Sequence, residues 1–172
     1  ANLGSLLWVQ GKHIEALDYL DNSLKTFIEL EEWRSVIIGY NDLGSMYYDI
    51  GQVSKALDLY KKALMVEANA NYESQIARSL VLIGIIYKNQ KEYELAEENY
   101  LNALVLYQKT KDFRSEVITL TNLSNLFNHQ AEYDKAIEYN NKAFSIAKEN
   151  YDVRGIAECL TGKGTIAGNL GN

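Results

Sequence analysis

Few side chains in this sequence stand at spacings that do covalent chemistry. The two histidines, His13 and His129, lie far apart, and neither has a metal-ligating residue four positions on. Cys159, the one cysteine, has no histidine at a diagnostic spacing and reads as a small buried apolar residue. Glu92, Glu94, Glu97 and Glu98 cluster on one stretch and read as a solvated helix face, with a docking patch for a basic partner as the alternative. The glycines are spread out rather than gathered in a phosphate-binding loop. No carboxylate pair or triad pattern is visible. What remains is the chemistry of recognition: asparagines, threonines, serines, tyrosines and isolated cations. A carboxamide both donates and accepts, so asparagines in series match a peptide backbone. The expectation is a binding protein, not an enzyme, with no cofactor and no metal.

The elements that carry these residues follow from composition and period. The chain has 172 residues, a net charge of −6, thirteen tyrosines and no proline. Proline averages about 5% of residues, and inside a helix it costs about 3 kcal/mol, so its absence fits an almost wholly helical chain. The acidic balance gives no support to nucleic-acid binding. No uninterrupted apolar run reaches the ~18 residues that would mark a transmembrane helix, and no membrane partner is expected.

Written at a spacing of forty, the sequence falls into columns. Ala16, Ala56, Ala96 and Ala136 align; so do Gly4, Gly44, Gly84 and Gly164, with Ser124 in the fourth place. Further columns are Ser23, Ala63, Ala103 and Ala143; Leu24, Leu64, Leu104 and Phe144; and Leu7, Tyr47, Tyr87, Phe127 and Ala167. Each unit reads as two amphipathic helices. In residues 33–69 the first carries Trp33, Ile37, Tyr40, Leu43, Met46 and Tyr47. Gly51 breaks it, and Val53, Ala56, Leu57, Tyr60, Ala63 and Leu64 form the second. Polar turns are expected at Asn69-Ala70-Asn71 and at Lys109-Thr110-Lys111, and helix caps at Asp112 and Asp152. Glycine within a helix costs roughly 0.5–1 kcal/mol relative to alanine. Its recurrence points to close packing, with Gly44 facing Ala56 across the hairpin. Arg34, Arg114 and Arg154 recur near the starts of first helices, against the helix dipole. An acid on the preceding unit is expected to compensate each; the alternative is a role at the groove edge.

These columns resemble the tetratricopeptide repeat. The second unit supplies Tyr40, Leu43-Gly44, Tyr47, Ala56, Tyr60 and Ala63, and the third Leu80, Ile83-Gly84, Tyr87, Ala96, Tyr100 and Ala103. The fourth departs at Ser124 and Asn140. The forty-residue period is similar to a longer-helix subclass found in kinesin light chains, spindle-orientation adaptors, bacterial quorum-peptide receptors and sensor-kinase input regions. Asn122-Leu123-Ser124-Asn125 and Gly168-Asn169-Leu170-Gly171-Asn172 are similar to its Asn-Leu-Gly-Asn signature.

The resemblance implies an all-α, right-handed superhelix, here of about four and a half helix hairpins, whose first helices line a concave groove. By register that groove presents Ser5 and Trp8; Ile38, Asn41, Ser45, Tyr48 and Asp49; Arg78, Val81, Ile85, Lys88 and Asn89; Ile118, Thr121, Asn125, Asn128 and His129; and Glu158, Thr161, Thr165 and Asn169. Trp8 and Tyr48 are the expected aromatic anchors. The clamp that holds chaperone C-termini in some members is matched only by Asn122, where that clamp has Arg.

Residues 1–172 are expected to form one solenoid domain, a segment of a longer cytoplasmic protein. The expected role is a scaffold that captures a peptide or helical segment in the groove. The alternative is a ligand- or peptide-sensing input region of a larger bacterial signalling protein: a sensor kinase, a cyclase or a transcription regulator. Association with a second copy through exposed solenoid ends is a further expectation.

Overall fold

The structure, a computed structural model, describes residues 3–66 and 72–171. Among them are nine helices: α1 (Leu3–Val9), α2 (His13–Glu29), α3 (Trp33–Asp49), α4 (Val53–Met65), α5 (Glu73–Asn89), α6 (Tyr93–Thr110), α7 (Phe113–His129), α8 (Tyr133–Glu149) and α9 (Val153–Leu170). The expected turn at Asn69-Ala70-Asn71 and the terminal Asn172 lie outside the described residues.

The connections repeat as strictly as the helices. A residue with positive φ ends a helix at Gly11, Glu31, Gly51, Lys91, Lys111, Ala131, Tyr151 and Gly171, a spacing of twenty wherever consecutive sites are described. In the turn after α3, the Gly51 amide donates to the Tyr48 carbonyl and the Gln52 amide to the Tyr47 carbonyl. The same pair recurs after α7, from Ala131 to Asn128 and from Glu132 to Phe127. This is the Schellman closure, in which a left-handed residue satisfies the orphan carbonyls of the last turn. The next residue is already the N-cap position of the following helix, so three residues suffice to reverse the chain in these turns and no proline is needed. Asp112 and Asp152 cap as expected, accepting from the amides of Ser115 (3.2 Å) and Gly155 (3.1 Å).

The chain divides into two compact units, Ala1–Ile83 and Gly84–Asn172. In the first, Ala16, Leu20, Leu24, Val36, Leu43, Met46 and Leu59 form a core edged by Leu7, Trp8, Tyr40 and Tyr47. In the second, Val117, Leu120, Ala143, Ala147 and Cys159 form one edged by Leu104, Tyr139, Phe144 and Ile156. The alanine column is fully buried at Ala16, Ala56, Ala96 and Ala136.

The glycine column works differently from the expected Gly44–Ala56 contact. A Cβ on Gly44 would meet the Tyr60 ring at 2.5 Å, and one on Gly84 the Tyr100 ring at 2.6 Å. The glycines make room for a tyrosine one turn beyond the alanine. In the fourth unit tyrosine is replaced by Asn140 and glycine by Ser124, whose Oγ donates to the Ala136 carbonyl at 2.7 Å. The two departures from the pattern therefore belong together.

Cys159 falls in a column of small buried residues: Gly39, Ser79 and Thr119. Gly39 sits against Leu24, with a Cβ site 3.1 Å from its Cδ1. The thiol fills a small packing position, as expected, and burial pushes it above the ordinary thiol range, partly offset by the Thr121 hydroxyl.

Candidate functional site, a polar face on the first helices

The first helices carry the expected binding residues, but packing sorts them into two groups. Asn41 is fully buried, and its Nδ2 donates to the Gln75 carbonyl at 3.4 Å. Val81, one period on, is also buried. Asn41 thus lies in the seam between α3 and α5 rather than facing outward. At the same column Thr121 is half-buried and Thr161 exposed. Ser45 donates to the Asn41 carbonyl (2.8 Å) and accepts from Tyr60 Oη (3.2 Å), so it too serves the packing.

Arg78 reaches Asp42 at 3.1 Å, an ion pair between helices of the first unit. Arg154, expected to pair with an acid on the preceding unit, instead bonds Glu158 within its own helix at 3.0 Å. Four residues on in a helix is a nearer and less costly partner for a long side chain. Trp8 is half-buried; it packs on the core and meets the His13 ring edge-on, 4.3 Å between centroids. Tyr48, Ile85 and Lys88 are half-buried, while Asp49, Asn89 and His129 are exposed. Burial lowers the Lys88 ammonium below its ordinary value.

The second unit brings five expected residues together, Glu158 among them. Thr121 and Asn125 of α7 and Thr161 and Thr165 of α9 line one cavity of about 570 Å³ with Arg154, Ala157, Glu158 and Gly162. Beyond it, Asn169 Nδ2 donates to Asn128 Oδ1 at 3.1 Å, linking α9 to α7. Behind it, Asn140 of α8 donates to the Cys159 carbonyl at 3.1 Å, and its Oδ1 lies 2.9 Å from where a Cβ on Gly162 would stand. Gly162 thus lets α8 hold α9 close by a side chain. Among the described residues no group of three His, Cys, Asp or Glu side chains could hold a metal ion.

A different cavity, not anticipated from the sequence, opens in the first unit. Ile28, Trp33, Val36, Tyr40, Met65 and Val66 line about 590 Å³ of mostly apolar space with Lys62 beside them. Trp33 is 39% exposed and Met65 81%. The signal was present in Trp33, but the helical pattern assigned that residue to the core.

No described helix is long and apolar enough to cross a membrane. The tetratricopeptide-repeat family profile matches residues 1–65 and 75–149. Response regulator aspartate phosphatase I of Bacillus subtilis is 31% identical over 144 residues, which are 80% of this chain and 35% of that protein. The photosystem I assembly protein Ycf3 of Rippkaea orientalis is 29% identical over 145 residues, 76% of this chain and 78% of its own. The chain therefore spans about a third of the Bacillus relative's length. Among solved structures, BtubC from P. vanneervenii superposes with a TM-score of 0.86 at 21% identity, covering 98% of this chain and 70% of that one. The apo form of RapI gives 0.76 at 27% identity, over 87% and 55%. The fold is thus an αα-repeat solenoid of the kind that serves as a protein-interaction scaffold. The chain belongs to the tetratricopeptide-repeat family.

Proposed function

We propose that this chain captures a segment of another polypeptide along the inward face of its first helices, in the concave groove that its family implies. The observation that carries this reading is the α7–α9 cavity, where Thr121, Asn125, Thr161 and Thr165 converge. Its volume falls in the usual range for ligand pockets, about 300–1,000 Å³. Its hydroxyls and carboxamide match a peptide backbone better than an apolar ligand. The role is to hold a partner, with any catalytic step left to that partner or to a further domain. A cytoplasmic setting accords with a single free cysteine.

A second reading is favoured by two relatives from Bacillus subtilis, one named Response regulator aspartate phosphatase I and the other Regulatory protein RapK. In it, residues 1–172 form the repeat region of a longer signalling protein, and binding alters what that protein does next.

The test is selection of random peptides displayed on phage against the immobilised chain, followed by titration of the selected peptides. Under the groove reading, Asn125→Ala and Thr161→Val each weaken binding severalfold, while Glu98→Ala and Lys142→Ala on second helices leave it unchanged. Peptides that respond only to the second-helix variants contradict it.

A further inference from the structure

We propose that the α7–α9 cavity takes a cationic side chain, arginine or lysine, from the bound polypeptide, and that Arg154 occupies this place until it arrives. The inference rests on the reading of that face as a polypeptide-binding surface and adds the chemistry of what it reads.

Hydrogen-bond bookkeeping decides the sign. The Thr121 hydroxyl donates to the Val117 carbonyl (2.9 Å), Thr161 to Ala157 (3.0 Å) and Thr165 to Thr161 (3.1 Å). A hydroxyl has one proton and two lone pairs. With their protons spent on their own helix, Thr161 and Thr165 offer an incoming group acceptor capacity alone, while the Thr121 hydroxyl is shared with the Cys159 thiol. Glu158 adds a carboxylate, of which Oε1 is bonded to Arg154 Nε. Asn125 can present its carbonyl by turning its amide. The cavity walls are therefore rich in acceptors, and their one charged donor is Arg154 itself.

Arg154 is held loosely. Its side chain is 74% exposed and its ion pair spans only four residues of one helix. Such pairs contribute little. It also lies in the first turn of α9, at the positive end of the helix dipole. The resident guanidinium shows the chemistry the cavity accommodates, and the weakness of its pairing makes it replaceable.

The test titrates the whole chain with N-acetyl-L-arginine amide and, separately, with N-acetyl-L-glutamate, following the backbone amides of Thr161 and Gly162 by NMR. We expect saturable shifts with the arginine probe, binding about two- to fivefold tighter in Arg154→Ala and weaker by a similar factor in Glu158→Gln. Both side chains are exposed, and thermal melts confirm that the variants fold. Weaker arginine binding in Arg154→Ala, preference for the glutamate probe, or no saturable shift with the arginine probe overturns the inference. The groove reading is judged separately by peptide selection: selected peptides that depend on Asn125 but carry no basic residue would sink this inference alone.

Discussion

The ring of Tyr60 occupies the space into which a side chain on Gly44 would grow: its Cε1 stands 2.5 Å from the Cβ position. Tyr60 is almost fully buried, and its hydroxyl donates to Ser45. The ring has nowhere to retreat. Gly84 and Tyr100 repeat the arrangement, whereas Gly164 has nothing within 4 Å of its Cβ position. Gly84→Ala should therefore destabilise by about 1–3 kcal/mol through overpacking. Gly164→Ala should stabilise α9 by up to about 1 kcal/mol through helix propensity. Urea melts of the two variants should move in opposite directions.

The left-handed turn positions give a second contrast. Gly51 and Ala131 hold the same place in the repeat, with φ of 79° and 58°. A left-handed residue with a Cβ costs roughly 1–2 kcal/mol, which glycine avoids. Ala131→Gly should raise stability by about 1 kcal/mol, and Gly51→Ala should lower it by a similar amount. Thermal unfolding of both variants checks this directly.

Asn140 ties α8 to α9 through the Cys159 carbonyl. Its amide is buried, so Asn140→Ala removes a bond made out of water and should cost about 1–2 kcal/mol. The loss should appear as faster amide exchange in α9, with the helices of the Ala1–Ile83 unit unaffected.

Burial raises the Cys159 thiol above its ordinary value, and the nearby Thr121 hydroxyl offsets this only in part. The folded chain therefore holds this proton more tightly than the unfolded one. That stability is fully present below the unfolded thiol pKa, about 8.5, and is lost as pH rises through the higher folded value. Tyrosines and lysines titrate in the same range, so the measurement is a difference. Between pH 7.5 and 10 the wild type should lose more stability than Cys159→Ala. At neutral pH, labelling of Cys159 by a thiol reagent should wait on unfolding.

Much of this architecture was legible because the repeat writes itself in residue types that packing demands. Alanine at 16, 56, 96 and 136 marked the tightest contacts, and Gly51 marked a turn. Lys91 and Ala131 adopt the same left-handed turn without glycine, and there only the register betrays them. The candidate site was read less well. Asn41 and Thr121 share a column, yet Asn41 is buried in a seam between helices while Thr121 lines a cavity. A position on a helix face is fixed by its own helix, but its exposure is set by the neighbouring one. Arg154 escaped for a related reason: its partner, Glu158, lies on the same helix and is the nearer choice.

The central claim is that partners bind along α7 and α9 rather than on the second helices. Its most direct measurement is crosslinking of a selected peptide, carrying a photoreactive phenylalanine analogue, to the intact chain, with the attachment sites mapped by mass spectrometry. The account predicts attachment on the 121–128 and 157–169 segments, abolished by Asn125→Trp, which fills the cavity between them. Attachment concentrated on α6 or α8, unchanged by that substitution, would contradict it.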